Sequence, residues 1–278
     1  MVGRTRGGRG RTALVYACVA VILVWTLFPI YWLVTASLKT ELLLYGTPPA
    51  WWFRPVLASY ARVLFNIPFP SYFLNSLIVA AFTTVGSVVL GSLAAYGFAR
   101  FTFRGSRALR FFILLTRMVP RVALVMPYFL MMLALGLLDT HVGLILAYVS
   151  FALPFSTWLM IGFFDEVPAE LEEAAMVDGC SRLAALARVT LPLAAPGVVV
   201  AAIFAFLVSW NEFLFALILS GIRSKTLPVV IAGFNTDIGP LYSDMSAAAT
   251  LVMIPNIVMT VFLQRHVARG LTFGAVQG

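Results

Sequence analysis

Six long apolar runs constrain this 278-residue chain more than any other feature of its sequence. Each is long enough for the roughly twenty helical residues that cross about 30 Å of hydrocarbon. They cover residues 13–36, 72–99, 109–135, 142–164, 197–220 and 246–264. Charged residues make up 11% of the chain, whereas a soluble domain carries about a quarter. The sequence therefore predicts an all-α membrane protein in which residues 13–264 form one bundle of six transmembrane helices.

Lysine and arginine in the connections predict how this bundle is oriented. Twelve of them lie in residues 1–12, 100–110, 165–196 and 265–278, and five lie in the connections on the other side. Because cytoplasmic connections carry the excess of basic residues, we expect both termini and residues 165–196 in the cytoplasm. The net charge of +8 is scattered beside apolar runs, so no nucleic-acid partner is expected. The first run exceeds the apolar core of a signal peptide and predicts a retained anchor.

The second run contains a series of small residues, at Gly86, Gly91, Ala94 and Ala95. Small side chains allow a neighbouring helix to approach closely in a membrane. Helix packing accounts for these residues, and no binding site is implied.

The connection 165–196 contains six of the eleven acidic residues, all between Asp165 and Asp178. Pro168 can occupy the first turn of a helix, and carboxylates near that turn interact favourably with the helix dipole. Asp178-Gly179 predicts the end of this helix, because glycine readily adopts the left-handed conformation found there. Ser181 then predicts the cap of a second helix, which runs to about Thr190.

Pro192 and Pro196 are expected to stop that second helix before the fifth apolar run. On the first helix, one face consists of Leu171, Ala174, Ala175 and Asp178, spaced at i, i+3, i+4 and i+7. This small, largely apolar face fits two interpretations. It either lies against its own bundle or docks into a groove on a cytoplasmic partner.

The same connection contains a spaced motif. Glu173-Ala174-Ala175 is followed after three residues by Gly179, and after nine more by Val189-Thr190-Leu191-Pro192. This pattern resembles the EAA signature of permease subunits in bacterial ABC importers, with Val189 in place of the usual Ile. The segments "FFDEVPAELEEAAMVDGC", "WNEFLFAL" and "RGLTFGAVQG" are similar to the smaller, six-span permease of maltose-type carbohydrate importers. Gln277 departs from that family, which usually has Lys there.

The resemblance implies a transport subunit that works by alternating access and forms part of the path of a sugar across the bacterial cytoplasmic membrane. Its partners would be a second related permease, two ATPase subunits or a homodimer of them, an extracytoplasmic solute-binding protein or lipoprotein, and membrane lipid. The residues implied in coupling to the ATPase are Glu173, Ala174, Ala175, Asp178, Gly179, Leu191 and Pro192. The terminal tail would add contacts through Gly270, Leu271, Thr272 and Gly274.

We expect this chain to bind no cofactor or metal and to have no catalytic site of its own. A phosphate-binding loop requires Gly-Lys-Ser/Thr, and neither Lys39 nor Lys225 follows a glycine. ATP and Mg²⁺ would therefore be used by the partner ATPase subunits.

Polar residues at membrane depth are costly and are therefore candidates for function. Trp210, Asn211 and Glu212 lie within the fifth run, and aromatic faces beside hydrogen-bonding groups suit a sugar path. Alternatively, Glu212 makes a structural contact with the partner subunit or an arginine. The tentative path also includes Asn75, Arg117 and Arg121. The two arginines flank Pro120, which can kink a helix, and they share a face if the helix is continuous there. They could pair with Glu212, line a wet cavity or favour an anionic or heavily hydroxylated substrate.

Three rival functions fit the sequence less well. An ABC permease for a polyol phosphate, peptide or amino acid would share the EAA pattern. A secondary transporter or channel would place inverted repeats, broken helices or coupling-ion carboxylates in its core, and of these the sequence indicates only Glu212. An intramembrane enzyme would have to assemble a site from His141 and His266, which lie far apart in the sequence.

Overall fold

The computed structural model describes residues 8–236 and 239–274; the side chains of residues 8–11, 236, 240, 263 and 265–274 lie outside that description. Within these ranges the chain is almost wholly helical. The sheet found there is a two-residue antiparallel pairing of Asn235–Thr236 with Gly239–Pro240.

The α-helices follow one another with short connections. In chain order they are α1 (Gly8–Ser37), α2 (Glu41–Tyr45), α3 (Ala58–Ala61), α4 (Phe69–Arg100), α5 (Ser106–Thr116), α6 (Arg121–Ala134), α7 (His141–Asp165), α8 (Ala169–Val177), α9 (Arg182–Ala185), α10 (Leu191–Leu193), α11 (Ala195–Trp210), α12 (Leu214–Leu219), α13 (Leu227–Ala232) and α14 (Tyr242–Gly274). Two π-helical turns, Arg62–Asn66 and Leu186–Thr190, continue α3 and α9.

Four of the predicted spans are continuous helices within the described residues. Segments long and apolar enough to cross a membrane are Thr12–Ser37, Phe69–Arg100, His141–Asp165 and Tyr242–Phe262. They correspond within a few residues to the predicted first, second, fourth and sixth spans. The protein therefore contains apolar helices of membrane-spanning length, as the hydropathy pattern indicated.

The predicted span over 109–135 consists of two helices, with the break at Pro120. The chain forms α5, with 11 residues, and α6, with 14, each shorter than the thickness of a bilayer core. At the break, the amides of Arg117 and Met118 donate to carbonyls three residues back, which tightens the end of α5. Pro120 has no backbone N–H and disfavours helical geometry at the preceding residue, so α6 starts afresh at Arg121.

The predicted span over 197–220 is also interrupted, because α11 ends at Trp210 and α12 begins at Leu214. Side chains replace helical hydrogen bonds at this break. The Asn211 amide donates to the carbonyl of Leu207 at 2.7 Å, and the Glu212 carboxylate accepts from the amide of Phe215 at 3.1 Å. Polar side chains that bond locally to the backbone compete with helix continuation. Upstream, Arg182–Leu193 and Ala195–Trp210 form a pair bent by 84°.

The described parts of residues 69–230 and 254–278 form one compact unit. In it, α4, α7 and α11 pack together. One buried apolar cluster lies where these helices meet the connection 165–196: Ala95, Tyr96, Met160, Ile161, Phe164, Val167, Leu186, Ala194 and Ala201. A second cluster joins α4, α6, α7 and α12: Val79, Met132, Leu144, Ala147, Tyr148, Phe215, Ala216 and Leu219.

The described parts of residues 1–68 and 231–253 form the other unit. An ion pair connects its two chain segments. Arg62 Nη2 lies 2.6 Å from Asp244 Oδ1, and Arg62 Nε donates to both carboxylate oxygens at 3.0 Å. Nearby, the backbone N–H and hydroxyl of Ser243 donate to Glu41 at 2.8 and 2.7 Å. These polar contacts hold together segments far apart in the sequence.

Candidate functional site

The acidic connection folds as its sequence predicts at both ends of α8. Pro168 immediately precedes the helix, and Glu170 and Glu172 lie in its first turn. At the other end, Gly179 has φ of +93°, a left-handed conformation that side chains with a Cβ rarely adopt. The amide of Cys180 donates to Ala175 at 2.9 Å and that of Gly179 to Met176 at 3.1 Å. This pair of hydrogen bonds is the Schellman motif, which satisfies the last carbonyls of a helix.

The second helix of the connection begins as predicted but ends later. The Ser181 hydroxyl accepts from the amide of Ala184 at 3.3 Å, which confirms the predicted cap. The expected end near Thr190 is wrong, because the helical path continues through the π-helical turn into α10 and reaches Leu193. Pro192 falls in the first turn of α10, where its missing N–H is tolerated.

A buried carboxylate, Glu172, anchors α8 to the rest of its unit. Its side chain is 4% exposed. Glu172 Oε1 accepts from Arg100 Nε at 2.7 Å and from Thr190 Oγ1 at 2.6 Å, and Oε2 accepts from the Tyr96 hydroxyl at 2.8 Å. Arg100 also donates to the carbonyls of Phe164 and Val167 at 3.0 and 2.7 Å. We call Glu172, Arg100, Tyr96 and Thr190 the anchor cluster. It joins α8, α4 and the π-helical turn.

Glu172 remains a carboxylate despite its burial. Burial raises the pKa of Glu172, but hydrogen bonds from Thr190, Arg100 and Tyr96 together outweigh it and lower the pKa below its ordinary value. The spaced motif includes Glu173 but not Glu172. The available signal was two adjacent carboxylates on one short helix. Neighbouring helical residues point about 100° apart, so one of the pair can face the protein interior while the other faces outward.

The residues of the spaced motif lie mostly on the outside of the described structure. Glu173, Ala174, Asp178, Gly179 and Pro192 are exposed. Of the remaining motif residues, Ala175 and Leu191 are partly buried, and Leu191 packs against the apolar cluster beneath the loop. Leu171, on the predicted small apolar face, is 46% exposed. Within the described residues, this face is therefore exposed at Leu171, Ala174 and Asp178 and partly buried at Ala175. The side chains of the implied tail residues Gly270, Leu271, Thr272 and Gly274 lie outside the described residues.

A cavity of about 170 Å³ brings together two of the predicted path residues, Arg117 and Arg121. The break between α5 and α6 places both on its wall, although they do not share one continuous helix. The Arg117 guanidinium lies 4.6 Å from the ring centre of Phe155, and that of Arg121 lies 5.3 Å from the ring centre of Phe151. The described residues around it are Thr116, Arg117, Val119, Arg121, Leu124, Ser150, Phe151, Ala152, Pro154, Phe155, Phe204, Ala205 and Val208.

Glu212 forms an ion pair with Arg121, one of the alternatives that the sequence left open. Arg121 Nη1 lies 2.8 Å from Glu212 Oε2, and the other carboxylate oxygen accepts from the amide of Phe215. The Glu212 side chain is 6% exposed, whereas that of Arg121 is 47% exposed. Glu212 thus holds one arginine of the cavity and caps α12 at the same time.

The other predicted path residues are not among those around the cavity. Trp210 is 1% exposed and packs against Phe206 and Phe73, with ring centres 5.5 and 5.6 Å away. Asn211 is exposed and exchanges amide hydrogen bonds of 3.0 and 3.3 Å with Asn256. The Asn75 side chain, on α4, contacts the connection between α12 and α13.

A cluster of polar contacts joins Asn75, Asp139 and His141 with residues 221–225, between α12 and α13, and we call it the polar knot. The sequence pattern did not predict this cluster. Asn75 donates to the carbonyls of Arg223 and Lys225, and its amide oxygen lies 2.7 Å from His141 Nε2. Asp139 accepts from the amides of Gly221, Arg223 and Ser224 at 2.7–3.2 Å, and from the Ser224 hydroxyl at 2.9 Å. Burial raises the pKa of Asp139, but these hydrogen bonds outweigh it and lower the pKa to about 2.

Comparisons with known proteins agree with this architecture. A family model described as "binding-protein-dependent transport system inner membrane component" matches residues 87–273. The trehalose/maltose transport system permease protein of Thermococcus litoralis is 36% identical over 256 residues, which are 91% of this chain and 92% of the relative. The trehalose transport system permease protein of Mycobacterium tuberculosis is 40% identical over 260 residues, which are 91% and 93% of the two chains.

A solved structure shares the fold. It is the crystal structure of a bacterial ABC transporter involved in the import of the acidic polysaccharide alginate, and it is 23% identical to this chain. The similarity covers 95% of this chain and 99% of the other, with a TM-score of 0.80. The family model and the extent of both sequence relatives lead to one conclusion: this chain belongs to the binding-protein-dependent transport system inner membrane component family.

Proposed function

We propose that this chain is the permease subunit of an ABC importer and forms, with a second related permease, the translocation path of a saccharide. The observation that carries the proposal is an exposed α8 that bears the spaced motif and is tied to α4 by the buried Glu172. An exposed helix with small residues at Ala174 and Ala175 suits docking into a groove. The names of both sequence relatives specify trehalose or maltose transport, which supports a saccharide as cargo.

The anchor cluster suggests how movement of α8 reaches the membrane. When the ATPase subunits close on ATP, they displace α8, which is docked on one of them. Glu172 is bonded to Arg100 and Tyr96 on α4 and to Thr190 on the π-helical turn. Because buried polar networks are rigid when fully satisfied, a displacement of α8 moves these elements with it. Helix α4 packs on α7 and α11, which line the cavity with Arg117 and Arg121.

The proposal includes an arrangement in the membrane. Both termini and the connection 165–196 lie in the cytoplasm, six segments cross the bilayer, and two of these are the discontinuous pairs α5–α6 and α11–α12. An extracytoplasmic solute-binding protein delivers the cargo, as the description of the family indicates. ATP and Mg²⁺ are bound by the partner ATPase subunits, and this chain carries out no covalent chemistry.

Uptake of labelled saccharide into vesicles that contain the complete transporter and its binding protein tests the proposal. We expect ATP-dependent accumulation that requires this chain. Replacing Glu173→Lys reverses a charge on the exposed motif and should lower accumulation more than tenfold while membrane insertion stays intact. The matched control is Glu170→Lys, the same charge reversal on an exposed residue of α8 outside the motif. Normal uptake by the Glu173→Lys transporter, with normal ATPase association, would refute docking through α8.

A further inference from the structure

We infer that the cavity with Arg117 and Arg121 accepts a saccharide that bears a carboxylate, with Arg117 as its counter-ion. This inference rests on the proposed function and specifies the chemical class of the cargo. The charge of the cavity is the first argument for it. Among the described residues around the cavity, the charged ones are Arg117 and Arg121.

The two arginines are in different electrostatic states. Arg121 is bonded to Glu212, which neutralises it. Within the described part of the chain, no carboxylate lies within 4.0 Å of the Arg117 guanidinium. The wall therefore carries one uncompensated positive charge. A charge at membrane depth is costly and usually faces a water-filled cavity or a partner group.

The surroundings of Arg117 prepare it to bind an anion. The ring of Phe155 lies under the guanidinium and restricts its orientation. A planar guanidinium with fixed orientation matches a carboxylate through two parallel N–H···O hydrogen bonds. Helix α6, which has 14 residues, begins at Arg121 on the wall of the same cavity, and the positive end of its dipole also favours an anion there.

The cavity can receive the charged part of a sugar. Its volume of about 170 Å³ is below the roughly 300–1,000 Å³ of pockets that enclose a whole ligand, so it would hold the carboxylate-bearing end of a saccharide and not a whole disaccharide. Phe151, Phe155 and Phe204 contribute apolar ring surface to the wall, and Thr116 and Ser150 contribute polar side chains. Such a wall allows a hydrated saccharide to pass while its carboxylate is held by charge. Neutral sugars gain no comparable interaction with Arg117.

Competing uptake of two labelled disaccharides tests this inference. The probes are maltose and a disaccharide of glucuronic acid linked to glucose, supplied to vesicles with the complete transporter and its binding protein. The wild-type chain should accumulate the acidic disaccharide. Arg117→Gln should lower that uptake about tenfold or more, and Arg117→Lys, which keeps the charge, should restore part of it. The control Arg107→Gln, an exposed arginine of α5 that is not part of the cavity wall, should leave uptake unchanged.

The remaining outcomes separate this inference from the proposed function. If only maltose accumulates in the presence of ATP, the inference that the cargo bears a carboxylate is contradicted, whereas the proposed function as a saccharide importer is supported. If Arg117→Gln lowers the uptake of both disaccharides equally while the complex still assembles, Arg117 makes a structural contact or pairs with a carboxylate of the second permease. That result also contradicts the inference that Arg117 binds the cargo. If the wild-type transporter accumulates neither disaccharide but does accumulate trehalose, only the carboxylate inference is overturned. If it accumulates no saccharide in the presence of ATP, the proposed function itself is contradicted.

Discussion

Glu172 and Glu173 are adjacent and chemically identical, yet they have opposite surroundings. Glu172 is buried and accepts three side-chain hydrogen bonds, whereas Glu173 is exposed. The spaced motif contains Glu173 but does not include the residue before it. The sequence could therefore identify the outward residue by its pattern. It could not identify the inward one, because its partners Tyr96, Arg100 and Thr190 are brought together by folding.

Glu172→Gln should destabilise the connection 165–196. The substitution leaves Arg100, whose side chain is 11% exposed, without its counter-charge. Removing one member of a buried ion pair costs about 3–5 kcal/mol. We expect a lower midpoint of thermal unfolding for the purified complex and faster proteolysis within this connection. The control Glu170→Gln makes the same change on an exposed residue of α8 outside the motif and should stay within about 0.5 kcal/mol. Equal unfolding midpoints for the two variants would contradict the role of Glu172 in anchoring α8.

Asp139 should make the stability of the polar knot depend on acid pH. Its pKa of about 2 lies below the ordinary value of about 3.9 for an unfolded chain. A carboxylate with a lowered pKa stabilises the folded state above its unfolded pKa, and this contribution disappears as the pH falls toward the folded pKa. The stabilisation should therefore be complete above about pH 4 and disappear between about pH 4 and pH 2.

Comparing the wild-type protein with Asp139→Asn measures that contribution. The substitution removes the charge that accepts four hydrogen bonds and should cost about 1–3 kcal/mol near neutral pH. Unfolding midpoints recorded from pH 6 downward should converge for the two proteins below about pH 4. A constant difference across that range would show that the carboxylate does not titrate as described.

At the scale of elements, hydropathy predicts apolar length well and helix continuity less well. The spans over α1, α4, α7 and α14 were predicted because each is one uninterrupted helix. The break at residues 211–213 was not predicted, because a window of apolar residues averages over a few polar ones. Pro120 was noted as a source of a kink. Asn211 and Glu212 were noted for their polarity, but their hydrogen bonds to the backbone depend on the folded geometry.

Gly91 should be required for the packing of α4 on α7. A Cβ at this position would lie 3.0 Å from Ser156 Cβ and 3.1 Å from the backbone nitrogen of Thr157. Gly91→Leu should therefore force the two helices apart and cost about 1–3 kcal/mol or more through overpacking. The matched control is Ala94→Leu on the same helix, where the side chain is exposed. Thermal unfolding of the purified complex measures the difference, and similar midpoints for both variants would contradict close packing at Gly91.

At the scale of the whole molecule, the proposed docking of α8 on an ATPase subunit accounts for an exposed acidic helix in an apolar chain. The spans and the cavity are built from apolar helices, and α8 presents the motif outward. The resemblance in sequence predicted this family, and the comparisons confirm it. The cavity, in contrast, could not be derived from the sequence, because Arg117 and Arg121 meet there through the break between α5 and α6.

The proposal that ATP-driven motion enters through α8 has a direct test in cross-linking. A single cysteine is introduced by Ala174→Cys after Cys18 and Cys180 are replaced by serine, and it carries a short photoreactive label. In membranes with the complete transporter, the label should cross-link to the ATPase subunit, and adding ATP should change the yield. A label at Trp52→Cys, an exposed position on the predicted outer side, should give no such product. If the label at position 174 gives no cross-link to the ATPase subunit in a transporter that still imports its saccharide, docking through α8 is contradicted.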